Sequence, residues 1–357
     1  MTTEQWRSAR LHNLLERWQC TRQIGCTQLV AGPTNSISDV AGVRVGHVTL
    51  AEGDVQTGVT AIVPNADNLF ASPLCAGAAV LNGFAKPMGL TQLDELGILQ
   101  TPIMLTNTFS VGRVYTGLVR YMLEQAPEAG REQATINPLV LECNDGYLND
   151  QQAFAVSETM VHDALAAANT SFERGSVGAG RGMSCFGLKG GIGTSSRYIH
   201  QLDATLGVLV LANFGRLSAL RLDGMALSEW IEPCLTQPTA QRDAGSIIIV
   251  MAIDAPLSAR QLKRIAKRAG AGLGRLGSYW GHGSGDIALA FSTASQPCHD
   301  VDDSHIEELL CASAEGCEFA VLDALLQATP VQGFRGHSRS TLSDVLDKLA
   351  AQHGLSH

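Results

Sequence analysis

The chemistry open to this chain is concentrated at a serine that follows a glycine. In Arg242-Asp243-Ala244-Gly245-Ser246-Ile247-Ile248-Ile249-Val250 a polar connector meets a strongly apolar run at the Gly245-Ser246 bond. Glycine removes the Cβ that would hinder attack of the serine hydroxyl on the preceding carbonyl, and it permits the unusual backbone angles such an attack needs. The peptide bond would rearrange to an ester and hydrolyse, leaving Ser246 as a new N-terminus. Its α-amine, with an intrinsic pKa of about 7.7–8.0, can then accept the hydroxyl's proton near neutral pH. A terminal amine serving its own hydroxyl is an established alternative to a serine–histidine pair. Taken alone, a Gly-Ser pair is ordinarily a turn entering a strand, so the expectation needs partners elsewhere.

Three further places supply them. In Tyr279-Trp280-Gly281-His282-Gly283-Ser284-Gly285-Asp286-Ile287 a glycine-rich loop feeds a strand. In extended chain Ser284 and Asp286 point the same way, so hydroxyl and carboxylate can form a proton relay to a nucleophile; the plain alternative is an Asx or serine turn. His282 invites a conventional triad, but a lone loop histidine is ordinarily solvated or a structural hydrogen-bonding group. In Asn144-Asp145-Gly146-Tyr147 a strand ends in polar residues, and Tyr147 can donate to a reacting oxygen or simply be half-buried. Asn213 closes the apolar run Leu209-Val210-Leu211-Ala212, where its amide is either an oxyanion donor or a strand-ending turn residue. No H-E-x-x-H and no paired Cys/His spacing occurs, so neither a metal nor an organic cofactor is expected.

One rival signal is the stretch Gly187-Leu188-Lys189-Gly190-Gly191-Ile192-Gly193-Thr194-Ser195-Ser196, which looks like a phosphate-cradling loop. Thr194 stands where the phosphate-contacting lysine belongs, and Leu188 where the first glycine belongs. A glycine-rich hairpin near the site is the better expectation, with a nucleotide-binding protein using Lys189–Ser195 as the alternative.

Positioning these groups requires strands and helices, and the pattern provides both. Ile37–Pro64 reads as strand, turn, strand; Leu74–Phe84 as a small-residue helix; Ile103–Leu105 as a strand; Val111–Glu124 as a helix; and Pro138–Glu142 as a strand. Asp150–Ala168 reads as helical. Thr205–Asn213 and Leu217–Leu222 read as a hairpin, and Glu232–Asp243 as an exposed, cuttable connector. Ser246–Ile253 and Ile287–Phe291 are apolar strands, Leu257–Leu276 a helix with a basic outer face, and Asp302–Leu326 helical. Adjacent strand pairs with helices between them favour an α+β architecture of two packed sheets flanked by helices. No repeat or low-complexity linker divides the chain, so residues 1–357 are expected to form a single domain.

Composition narrows the function class. The hydrophobic share is 45%, and 37 glycines and 17% charged residues describe buried structure joined by tight turns. A net charge of -9 without an aromatic-laced basic run argues against nucleic acid. The first residues mix charges with apolar side chains as an amphipathic helix would, and no apolar run suits a bilayer span, so a cytoplasmic protein without membrane contact is expected. The nine cysteines are scattered and never spaced C-x-x-C, which suits buried reduced thiols.

Taken together, NSISDVAGVRVGHVTL (35–50), TPIMLTNTFSVGRV (101–114), NDGYLND (144–150), CFGLKGGIGTSSR (185–197), GSIIIV (245–250) and GSGDIALAFST (283–293) resemble the self-processing aminopeptidases that include L-aminopeptidase/D-amidase/D-esterase and the β-peptidyl aminopeptidases. The likeness implies an αββα layered sandwich similar to N-terminal-nucleophile hydrolases but with different connectivity. It also implies a precursor cut into 1–245 and 246–357, with cleaved pairs assembled as a homo-oligomer, a tetramer in the family. By position it makes Ser246 the nucleophile, Ser284 and Asp286 its relay, and Tyr147 and Asn213 the site's tyrosine and oxyanion asparagine. Substrates would be small peptides, amides or esters beginning with L-α, D-α or β-amino acids. A non-maturing binding or scaffold protein of the same fold is the alternative. Two departures stand out: Arg181 where a small threonine-like residue is expected, an extra cation that would favour carboxylate-bearing partners, and the shorter carboxylate at Asp286.

Overall fold

The computed structural model describes residues 3–25, 27–65, 68–235, 245–295 and 297–355. Its first helix is α1 (Thr3–Thr21), followed by strands β1 (Arg44–Glu52), β2 (Val55–Val63) and β3 (Leu74–Gly83), helix α2 (Leu90–Leu96), and strands β4 (Ile98–Leu99) and β5 (Ile103–Asn107). Next come α3 (Val111–Gln125), β6 (Leu139–Cys143), α4 (Thr159–Ala166), the short β7 (Ser184–Cys185) and β8 (Leu188–Lys189), then the long β9 (Gly191–Ile199) and β10 (Ala204–Asn213). The chain continues through β11 (Arg221–Leu222), β12 (Met225–Ala226), α5 (Ser228–Ile231), β13 (Ser246–Ile253), α6 (Ala259–Arg275), β14 (Gly285–Ser292) and α7 (Glu307–Leu326). It closes with β15 (Val331–Gln332), β16 (Ser338–Arg339) and α8 (Leu342–Gln352).

Two mixed sheets face each other. One has the order β1-β2-β5-β6 and the other β4-β3-β14-β13-β10-β9, with β5/β6 and β13/β14 the parallel pairs. Because strand side chains alternate between faces, each sheet contributes two apolar surfaces. Ile62, Leu105 and Leu141 meet Leu211, Ile248 and Val250 between the sheets. Ile247, Ile249 and Met251 point the other way, into a core shared with Leu262 and Ile265 of α6 and Val321 of α7. Val59 and Met104 pack outward against Val114 and Leu118 of α3. The result is the helix, sheet, sheet, helix layering that the sequence motifs imply.

Local chemistry explains the elements next to the site. Helix α6 starts where the Ser258 side chain accepts from Gln261 N, and buries Leu262, Ile265, Ala269 and Leu273 while its arginines and lysines face outward. The buried Arg197 of β9 pairs with Glu315 of α7 at 2.5 Å and lies over Phe319, tying sheet to helix.

Three expectations need correction. Leu74–Phe84 is not a helix but β3, hydrogen-bonded between β4 and β14. Its small residues serve close packing: a Cβ on Gly77 would lie 2.5 Å from Lys263 N and 2.6 Å from Ala259 O of α6. Thr205–Asn213 does not form a hairpin with Leu217–Leu222; β10 lies between β9 and β13, while Arg221–Leu222 pairs with Met225–Ala226. Only Thr159–Ala166 of the expected Asp150–Ala168 helix is α-helical, after a 3-10 turn at Gln151–Ala153. Of the cuttable connector, residues 236–243 lie outside the described residues. No described helix is long and apolar enough to cross a membrane. Cysteine burial is mixed: Cys143, Cys185, Cys234 and Cys317 are buried, Cys20 is exposed, Cys75, Cys298 and Cys311 are half-buried, and Cys26 is not described.

Candidate active site

Three strand ends meet at the Gly245-Ser246 bond. Ser246 opens β13, opposite Asn213 at the end of β10 and opposite Gly285 at the start of β14. Strand pairing holds Ser246 nearly buried, at 3% exposure. In the uncut chain its hydroxyl donates to Gly245 O at 2.8 Å, and that same carbonyl accepts from Gly285 N at 3.2 Å. The bond that would break is therefore already polarised by a backbone donor. Glycine at 245 has a reason beyond the attack geometry: a Cβ there would sit 1.9 Å from Asn213 O.

Ser284 and Asp286 are joined as their spacing suggests, the Ser284 hydroxyl donating to Asp286 Oδ1 at 2.7 Å. Both are buried. Asn82 of β3 clamps their loop, its amide donating to Gly281 O at 3.0 Å and to Ser284 O. Asn213 is held at both ends of its amide: Ser184 N donates to Oδ1 and Nδ2 donates to Asn144 O, each at 2.8 Å. One Nδ2 hydrogen is thus used in holding the side chain at the cavity.

A cavity of about 580 Å³ opens over this junction, lined by Gly245, Asn213, Asn144, Tyr147 and Ser184 on one side. Its size falls within the roughly 300–1,000 Å³ usual for small-molecule sites. Tyr147 stacks on His337 with ring centroids 4.4 Å apart, and the Arg339 guanidinium lies 3.6 Å over its ring. His337 Nδ1 donates to Tyr147 O at 2.9 Å. Behind the wall, burial raises the Asp145 carboxyl to about 6 although Asn149 Nδ2 donates to its Oδ1 at 3.1 Å.

The structure joins Tyr147, Asn213 and Gly245 around one cavity, with Ser246 next in line and the Ser284–Asp286 pair packed behind. His282 is exposed on its loop. Arg181 does not line the cavity; its Nε donates to Gln56 Oε1 at 2.8 Å, so the expected pocket cation is misplaced. Lys189 refutes the nucleotide alternative. It is fully buried, its ammonium donates to the carbonyls of Gly180, Met183 and Gly190 at 2.7–3.1 Å, and burial beside Arg181 pushes its pKa well down. No phosphate can reach it.

Sequence reasoning missed the Gly285 amide, Asn82, and the whole wall supplied by Phe334, Arg335 and Arg339. A backbone donor leaves no trace in residue types. Asn82 was hidden by reading β3 as a helix, and the arginines of Phe334-Arg335-Gly336-His337-Ser338-Arg339 follow no motif that marks them.

Two packed sheets flanked by helices, with a serine at a strand start beside a hydroxyl–carboxylate pair, give the layered fold of the Ntn-hydrolase-like aminopeptidases. The family model for peptidase family S58 matches residues 35–339, and the chain belongs to that family as one of its aminopeptidases. The β-peptidyl aminopeptidase BapA of Sphingosinicella microcystinivorans is 37% identical over 342 residues, covering 86% of this chain and 85% of that protein. The crystal structure of the PH0078 protein from Pyrococcus horikoshii OT3 is 44% identical with a TM-score of 0.85, over 93% of this chain and 98% of that one. The L-aminopeptidase D-Ala-esterase/amidase of Ochrobactrum anthropi, a prototype for the serine aminopeptidases and a variant of the Ntn hydrolase fold, is 32% identical with a TM-score of 0.82, over 93% and 97%.

Proposed function

We propose that the chain cuts itself between Gly245 and Ser246 and that the freed Ser246 then releases N-terminal residues from small peptides, amides or esters. The observation that carries this reading is the Ser246 hydroxyl resting 2.8 Å from Gly245 O while Gly285 N donates to the same oxygen. Attack of Ser246 Oγ on the Gly245 carbonyl carbon forms a tetrahedral centre whose oxyanion is already met by a backbone N–H. Collapse expels the Ser246 nitrogen, which takes up a proton and becomes the α-amine, and leaves an ester. Water hydrolyses the ester to the Gly245 carboxylate and the Ser246 hydroxyl. In turnover the α-amine takes the Oγ proton as Oγ attacks the substrate carbonyl, and that proton passes to the departing amine. Water then releases the acyl group and restores the hydroxyl.

Within this scheme the Asn213 amide holds the substrate oxyanion, and Tyr147 donates across the cavity. The Ser284–Asp286 pair, buried one ladder position from Ser246, orients the new amine and carries its proton. The relatives' names support an amino-terminal amide or ester as the bond cut. We further place the mature protein in the cytoplasm as a symmetric assembly of cleaved pairs.

Mass spectrometry of the purified protein tests the reading: masses corresponding to 1–245 and 246–357 are expected, and an intact chain with full peptidase activity would overturn it. S246A should give no fragments and lower hydrolysis by about 10⁴-fold or more.

A further inference from the structure

The cavity that Gly245 and Asn213 line also has a cationic stretch. Two guanidiniums, those of Arg335 and Arg339, line it, and Asp150 is the one acid among the described lining residues. Both arginines come from the β15–β16 hairpin, on the fragment that would carry Ser246. Arg339 is 7% exposed and spent on the face of Tyr147. Arg335 is different. It is exposed at the cavity, its guanidinium 4.8 Å from the Phe334 ring, and it makes no ion pair with any described residue.

Its backbone is also unusual. Arg335 has φ 55° and ψ 27°, the left-handed region, which is disfavoured for a residue with a Cβ. The surroundings enforce that conformation. Phe334 N donates to Leu148 O at 2.8 Å, and a Cβ on Gly333 would stand 1.9 Å from that oxygen, so the hairpin is pressed backbone to backbone against the Tyr147 loop. A residue with a Cβ held in the left-handed region at a cavity points to a use for its side chain.

We propose that Arg335 anchors a carboxylate on the leaving-group side of the substrate, so that short peptides ending in a free carboxylate are preferred to their amides. The assignment names the substrate class for the Ser246 reading and rests on it. An aminopeptidase substrate carries an ammonium at one end, and a wall with two guanidiniums repels that end. The acyl portion with its amine must therefore lie away from Arg335, which directs the departing amine component toward the hairpin. A guanidinium fork matches a carboxylate through two parallel N–H···O bonds and gains nothing comparable from a neutral amide. The cation that the sequence located at Arg181 is thus supplied from the other fragment.

The test compares kcat/KM for β-alanyl-leucine and β-alanyl-leucinamide, and calorimetric binding of leucine and leucinamide, in the full-length wild-type protein, R335Q, R335K and R335E. Wild type is expected to favour the free acid by about tenfold or more, a ratio that shrinks with added salt. R335Q should bring the ratio to near one, R335E should invert it, and R335K should keep part of it. A wild-type ratio near one, or a preference unchanged in both R335Q and R335E, overturns the anchor. The two readings fail separately. A protein that hydrolyses neither peptide, yet binds leucine more tightly than leucinamide only while Arg335 is present, keeps the anchor and discards Ser246 as nucleophile.

Discussion

At the level of single residues, the strongest contrast lies between Asn213, brought opposite Ser246 by strand pairing, and His282, two positions before Ser284 in the chain. Asn213 is 5% exposed and bridges Ser184 N and Asn144 O, so its amide is fixed before any substrate arrives. Fixed donors do not have to reorganise as charge develops, and removing one typically costs about 100- to 1,000-fold in turnover. N213A should show that loss in kcat, with KM less affected, in steady-state assays on folded protein. His282 is exposed, and its loop is organised by Asn82. H282A should therefore keep both the fragment pattern and kcat/KM to within about twofold. A large loss in H282A would return the triad reading to contention.

At the level of elements, glycine decides which segments can approach each other. Gly77 lets α6 lie directly on β3, with the positions a Cβ would occupy already taken by helix backbone. G77V should destabilise the protein by about 1–3 kcal/mol or more, read as a lower urea midpoint, because neither neighbour is a side chain that can swing aside. This contact also explains what the sequence concealed. The alanines and leucines of Leu74–Gly83 favour a helix although its glycines do not, and only the close approach of α6 makes smallness a property of this strand. By contrast, β13 and β14 were legible because both their faces are buried and their apolar runs are unbroken. The Ser284–Asp286 pair was legible for a related reason: an i, i+2 spacing in extended chain fixes which side chains share a face. The β10 partner could not be read, since the local Gly215 turn signal competed with a distant strand that offers eight paired residues. The hairpin carrying Arg335 was invisible as a site element because its role depends on docking to Leu148, nearly two hundred positions away in the chain.

At the level of the whole molecule, the proposed cut falls between strands that remain side by side. In the six-stranded sheet β13 and β14 would belong to the C-terminal fragment, while β3 and β10 on either side of them would belong to the N-terminal one. Each fragment alone would expose the apolar faces that now form two shared cores. The cleaved pieces should therefore co-elute in native gel filtration and separate only under denaturant; separation without denaturant would contradict the strand order. The interleaving has a further consequence for the order of events. An uncut chain finds β10 and β13 by closing a loop within one molecule, a search whose rate does not depend on how dilute the protein is. Once the bond is cut, the same pairing becomes a collision between two partners. Denatured mature protein should then recover with second-order, concentration-dependent kinetics, whereas unfolded S246A should recover with first-order kinetics. Maturation would thus act as a ratchet, retaining the architecture while erasing the covalent link that made it quick to assemble.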